Sequence, residues 1–285
     1  MAAQRALEDR ERPGRRLFED PFARRFVTRR LALVCALRRL PVVGRIAPSL
    51  YDWVAGPGPR ASAVARTRVI DDAVCGSVAD GIRQVVLLGA GFDTRAYRLA
   101  CMASVDVFEV DQQDTQRRKI AVLAGLEART ARVRHVACDF ERQRLDRGLL
   151  DAGYRADVRS MFVWEGVTNY LSAHAVEAMF GVLAELMAAG SMLVFTYVDR
   201  AALCPATAHR FPEAEKWMRA VADAGEPWRF GFDPVEVESF VADKGFSVES
   251  DRSTREIGED LFGAAGRRER GSEMYRVVLC RRAGR

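Results

Sequence analysis

The sequence predicts an α/β fold: a seven-stranded, doubly wound, Rossmann-like sheet with an N-terminal helical lid and an insertion after the fifth strand. Three observations carry that expectation. From residue 84 onward, short runs rich in β-branched and aromatic residues alternate with helical patterns, as successive strand–crossover–strand units require. The first run ends in a glycine pair, Gly89 and Gly91. The second ends about twenty residues later in a carboxylate, Asp111, which is the spacing of a nucleotide-binding βαβ unit. The last unit closes on a strand with no helix after it, as suits an antiparallel strand inserted into an otherwise parallel sheet.

In chain order, the expected strands are 84–89, 105–110, 132–137, 160–164, 192–198, 246–249 and 275–281. The helical patterns between them cover 94–100, 112–128, 141–152, 172–188 and 234–244, with Ser172 as an N-cap. Two regions stand outside the alternation. Residues 1–80 read as helices interrupted by Pro21, Pro41, Pro48 and the Gly56-Pro57-Gly58-Pro59 loop. Residues 200–232 carry Trp217, Trp228 and Phe230 in a loop-and-helix setting. Both are placed to cover the carboxyl ends of the strands, where open α/β sheets bind ligands. The expected division is a lid over 1–80 and a core over 81–285 with the insertion inside it.

Composition narrows the function. A hydrophobic content of 49% over 285 residues suffices for a full core. The formal charge of +5 comes from arginine, since the 44 basic residues include only Lys119, Lys216 and Lys244. No basic run is interleaved with aromatics, so a nucleic-acid partner is not expected. The six cysteines are scattered with no C-x-x-C pair. That argues against a metal site and against a disulfide framework, and for small core residues in a reducing compartment. Residues 1–16 lack the apolar stretch of a signal peptide, and Arg38 and Arg39 cut the apolar run 31–37 far short of a membrane span. The chain reads as soluble and cytoplasmic; its oligomeric state is left open.

The glycine pair leaves room for a ligand against the backbone, and a carboxylate at Asp111 can accept both hydroxyls of a ribose. The third glycine of the dinucleotide fingerprint would fall at Thr94, which disfavours a pyrophosphate cofactor. An adenosine cofactor without phosphates, S-adenosylmethionine (SAM), fits better. After the third strand, Asp139 could accept from an adenine amino group while Phe140 flanks the base; Asp139 could equally cap a helix starting near Glu141. Arg66 could fork onto the SAM carboxylate, although one arginine among so many carries little weight alone. Glu165, ending the fourth strand, could balance the sulfonium or the ammonium, or could be a solvated loop acid.

At this point four segments, 16–23, 65–72, 88–99 and 165–171, resemble the leucine carboxyl methyltransferase family. The likeness is closer to its bacterial branch of SAM-dependent O-methyltransferases of the polyketide-tailoring type, and the long glycine-turn segment is its most specific part. The resemblance implies that Arg66 holds the SAM carboxylate, Gly89 and Gly91 line its methionine part, and Asp111 binds its ribose. It also implies that Asp139 and Phe140 frame the adenine and that Glu165 contacts the cofactor near the reacting end. The N-terminal segment is somewhat shorter than in the family, and some relatives differ at Thr168-Asn169; both departures bear on the acceptor.

Methyl transfer from a sulfonium is an in-line displacement in which alignment and exclusion of water do most of the work. A carboxylate acceptor is already ionised at neutral pH, whereas a hydroxyl wants a base. His135, His174 and His209 form no motif together. Tyr170 and Tyr197 are the candidate acceptor contacts, each alternatively a core tyrosine with a satisfied hydroxyl. The expectation is a SAM-dependent O-methyltransferase acting on a carboxylate or hydroxyl of a small molecule, such as a secondary metabolite. The competing readings are a NAD-dependent oxidoreductase, a SAM-binding regulatory or interaction module without catalysis, and a methyltransferase of a protein's terminal carboxylate.

Overall fold

The computed structural model describes residues 1–28, 58–223 and 225–284. The apolar run 31–37, Cys35, Pro41, Pro48 and the Gly56-Pro57 half of the predicted loop lie outside the described residues. The strands are β1 (Gln84–Leu88), β2 (Asp106–Asp111), β3 (Arg132–Ala137), β4 (Ser160–Trp164), β5 (Met192–Val198), β6 (Phe246–Ser253) and β7 (Tyr275–Arg282). They form one sheet in the order β3-β2-β1-β4-β5-β7-β6. The first five run parallel, and β7 lies antiparallel between β5 and β6, as its position in the sequence led us to expect.

The described helices include α1 (Ala2–Glu8), α2 (Pro59–Ala79), α3 (Arg95–Arg98), α4 (Gln113–Leu123), α5 (Leu145–Asp151) and α6 (Ala173–Leu186). After β5 come α7 (Arg200–Leu203), α8 (Ala214–Asp223), α9 (Pro234–Asp243) and α10 (Thr254–Ala264). The period-2 alternation of each strand sorts its side chains onto two faces. Val86, Leu88, Phe108, Val110, Phe162, Trp164, Leu193 and Phe195 pack with α5, α6 and α9 on one side. Val85, Leu87, Val107, Met161, Val163 and Val194 pack with α2, α3, α4 and α10 on the other. The result is three layers with the sheet in the middle.

Three expectations change. The boundary at residue 80 falls between α2 and β1, yet Val64, Ile70, Val74 and Val78 of α2 share the core of the sheet, so this helix is not set apart as a lid. Helix α10 was not expected; a capping box formed by Ser253 and Glu256 starts it, and Ile257 and Phe262 bury its apolar face. Finally, Cys75 of α2 and Cys101 after α3 form a disulfide with their Cα atoms 5.6 Å apart. Their separation of 26 residues gives no motif; the packing of α2 against the glycine-turn segment brings them together. Cys138 and Cys280 are buried core thiols, as expected, while Cys204 is exposed.

Candidate functional site

Strand order reverses between β1 and β4, and the residues leaving these two strands lie at the carboxyl edge, where open α/β sheets bind ligands. The β1 exit holds Gly89 and Gly91 at positive φ, 64° and 42°. A Cβ on Gly89 would lie 2.3 Å from Val167, so the protein itself demands that glycine. A Cβ on Gly91 would meet nothing nearer than Gly89 O at 3.7 Å and Asp111 Oδ2 at 3.9 Å. The bare backbone at Gly91 therefore keeps space free in front of the Asp111 carboxylate. Gly91 N–H donates to Asp111 Oδ2, and Gln112 N–H donates to Oδ1 at 2.7 Å, which fixes the carboxylate at the end of β2. Burial pushes the Asp111 pKa up, and those two backbone donors oppose it.

On the other side of the reversal, Glu165 leaves β4 between two arginines. Arg66 Nε donates to Glu165 Oε1 at 2.8 Å, and Arg95 Nη1 lies 2.8 Å from Oε2. Burial alone would raise the Glu165 pKa; Arg95 first and Arg66 second more than offset it and hold the group below the usual range. Arg95 is 2% exposed and also pairs with Asp93 and, through Nε at 2.7 Å, with Asp71 of α2. Arg98 carries the charge network onward from Asp71 to Asp20, which Arg5 and the Thr94 hydroxyl also contact. The Thr94 side chain, where a dinucleotide fold has its third glycine, is thus committed to a buried carboxylate. Arg66 stacks 4.6 Å from the centroid of the Tyr275 ring, and its Nη2 lies against Met1 Sδ and near Gly166.

The remaining expected residues divide. Asp139 follows β3 with its carboxylate partly exposed; Oδ1 accepts from the Glu141 N–H at 3.0 Å. The next helix begins at Leu145, so Asp139 shapes a local turn rather than capping a helix. Phe140 is partly buried against the first core cluster. Tyr170 ends a single 3-10 turn after β4 and lies near Tyr275, Trp228, Glu226 and Arg66. Tyr197 does not join them. Its hydroxyl donates to Asp251 Oδ2 at 2.7 Å and its ring packs edge-on to Phe232, so it is a core tyrosine with a satisfied hydroxyl. Sequence reasoning missed Arg95 and Tyr275. Arg95 lay inside the quoted glycine-turn segment, and Tyr275 is the first residue of β7, which antiparallel insertion brings to the carboxyl edge.

Among the described residues, no three His, Cys, Asp or Glu side chains are grouped to hold a metal ion, and no helix is long and apolar enough to cross a membrane. The family model described as leucine carboxyl methyltransferase matches residues 1–184. A Mycolicibacterium smegmatis relative is 33% identical over 270 residues, covering 94% of this chain and 84% of its own. The chain belongs to the leucine carboxyl methyltransferase family. That relative is named as an S-adenosyl-L-methionine-dependent methyltransferase, as is a Mycobacterium avium protein 33% identical over 93% of this chain and 86% of its own length. Another M. smegmatis relative is 38% identical over 160 residues, and there the match spans only 52% of that protein. A methyltransferase structure from Thermobifida fusca superposes with a TM-score of 0.58 at 19% identity, covering 86% of this chain and 90% of that one. A Streptomyces avermitilis structure gives 0.56 at 17% identity over 85% and 91%. These two likenesses are of fold alone: a seven-stranded class I methyltransferase sheet.

Proposed function

We propose that this SAM-dependent methyltransferase transfers its methyl group to oxygen, on a carboxylate or hydroxyl of a small molecule such as a secondary metabolite. The observation that carries the reading is the placement at the carboxyl edge of Gly91 and Asp111 on the β1–β2 side and of the Arg66–Glu165–Arg95 clasp on the β4 side. Asp111 would hold the ribose, Gly89 and Gly91 would lie along the methionine part, and Arg66 would face its carboxylate. Glu165, kept ionised by its two arginines, would take the ammonium; Asp139 and Phe140 would frame the adenine. When bound, SAM supplies an electrophilic methyl group on a sulfonium. The chain's own residues have only to orient the two reactants and exclude water. Tyr170 is the acceptor contact of this reading. In this reading the described N-terminal residues 1–28 and the insertion act as its cover.

Isothermal titration with SAM tests the proposal. Wild-type protein is expected to bind, and Asp111→Ala to lose roughly tenfold or more in affinity, the loss of a pair of charge-assisted hydrogen bonds. Absence of binding, or binding indifferent to Asp111→Ala, refutes it.

A further inference from the structure

Residues 1–28 grip the turn that follows Gly91 at three neighbouring points. Arg5 Nη2 donates to the Phe92 carbonyl at 2.6 Å. The Phe26 ring stacks on the Phe92 ring, with centroids 4.7 Å apart. The Thr94 hydroxyl donates to Asp20 Oδ2 at 2.7 Å. Asp20 ties two of these grips together. Its Oδ2 also accepts from Arg5 Nε at 2.8 Å, and its Oδ1 accepts from the Ala23 N–H at 2.9 Å. The Asp20 side chain is fully buried, and Arg98 Nε lies 3.8 Å from it.

On the sheet side, the turn is held by the Ala90 N–H donating to Val110 O at 2.9 Å and by the Gly91 N–H donating to Asp111. Beyond Gly91 its continuation is α3, a helix of one turn, too short to be stable by itself. Thr94 is the N-cap of α3, yet its hydroxyl makes no capping bond to that helix and is spent on Asp20. A carboxylate only accepts, so the Thr94 hydroxyl must aim its proton at Asp20. A carboxylate out of water is costly unless its oxygens are paired, and both Asp20 oxygens are. Phe92 and Thr94 thus take their position largely from the N-terminal segment. A loop already held in its binding shape spares the ordering cost when a ligand arrives.

Resting on the reading that Gly89 and Gly91 lie along the methionine part of SAM, we infer that Asp20 is a positioning residue for the methyl donor. Through the Thr94 hydroxyl and Arg5 it sets the backbone path leaving Gly91, beside which the amino-acid tail of the cofactor lies. The ribose and adenine contacts of the same reading come from the ends of β2 and β3, and Asp111 keeps its bond from the Gln112 N–H. Loss of the Asp20 grip therefore acts on the tail and spares the nucleoside.

The test compares two ligands on the full chain by calorimetry. One is S-adenosylhomocysteine; the other is 5′-methylthioadenosine, which has the same nucleoside and sulfur without the amino-acid tail. Wild-type protein is expected to bind S-adenosylhomocysteine about tenfold or more tightly than 5′-methylthioadenosine. Asp20→Ala and Thr94→Val are each expected to weaken S-adenosylhomocysteine about fivefold or more, while 5′-methylthioadenosine stays within about twofold of wild type. Thr94→Ser, which keeps the hydroxyl, is expected to stay within about twofold for both ligands. Thr94→Val leaves every charge in place, so it decides the matter if Asp20→Ala does not fold. A general loosening of the fold would weaken both ligands alike. Equal loss of both, an unmoved preference in Thr94→Val or in folded Asp20→Ala, or Thr94→Ser behaving as Thr94→Val overturns the inference. Wild-type protein that binds the two ligands equally instead removes the reading on which it rests.

Discussion

Replacing Arg95 by methionine removes a guanidinium that is 2% exposed and touches Asp93, Asp71 and Glu165. At an effective dielectric of about 20, each such contact is worth roughly 4 kcal/mol before desolvation, about 12 in all. Most of that is cancelled by the cost of burying the charges. Removing one partner from a buried ion pair nevertheless costs about 3–5 kcal/mol, because the other side is left buried and uncompensated. In a chain of this size that is a fall in melting temperature of roughly 10 °C. The pH dependence separates this cause from a packing defect. Burial raises Glu165 and Asp93 while Arg95, first among the neighbouring charges, brings both below their usual values. Each therefore stabilises the fold above its unfolded pKa and loses that contribution as pH falls through its folded pKa. Without Arg95 both values rise, so the variant's deficit should be widest near neutrality and should shrink as pH is lowered from about 7 to about 4. Urea titrations of both proteins across that range supply the measurement. A deficit under about 1 kcal/mol, or one that does not change with pH, refutes the clasp as described. Arg95→Lys should restore part of the stability, because it returns the charge without the fork.

Three further outcomes follow from the glycine turn and the disulfide. Gly89→Ala should cost about 2–4 kcal/mol, from a left-handed backbone and a Cβ driven into Val167, as read by thermal melting. Gly91→Ala should cost only about 1–2 kcal/mol and show itself chiefly in weaker SAM binding, since its Cβ enters the space before Asp111. The Cys75–Cys101 bond closes a loop with a sequence separation of 26, worth about 3.5 kcal/mol by chain entropy. Reductant should lower the wild-type melting temperature and leave that of Cys75→Ser unmoved; equal sensitivity would show that the bond does not stabilise the fold.

The seven strands were legible because each alternates or runs apolar over four to eight residues, bounded by turn residues, and that signal is local. Helix α10 was hidden because its segment is charged and only Ile257, Leu261 and Phe262 are large and apolar. The capping pair Ser253 and Glu256 was the readable sign. Helix α4 stops at Leu123 rather than 128, with Gly125 at φ 79° just beyond it. In the candidate site, Asp111 ends β2, and Gly91 and Glu165 follow β1 and β4, positions that a strand pattern marks in the sequence. Arg95 could not, since an arginine in an arginine-rich chain announces nothing until its three carboxylates converge on it from α2, β4 and its own turn. Tyr197 misled for the opposite reason. Its face of β5 and its partner Asp251, 54 residues away, are set by sheet pairing rather than by anything near it in sequence. The disulfide belongs to the same class of non-local facts.

Among the described residues, strand β6 takes its backbone pairing from β7, which follows it in the chain. The β6–α10–β7 unit is joined to the rest of the sheet by the antiparallel pairing of β7 with β5, from Met192–Arg281 to Val198–Tyr275. That pairing also brings Tyr275 over Arg66, so the Arg66–Glu165 corner and the far edge of the sheet share one strand. Ligand binding at that corner would then clamp a hairpin-like flap some distance away, and slowed amide exchange along β6 would be its visible trace.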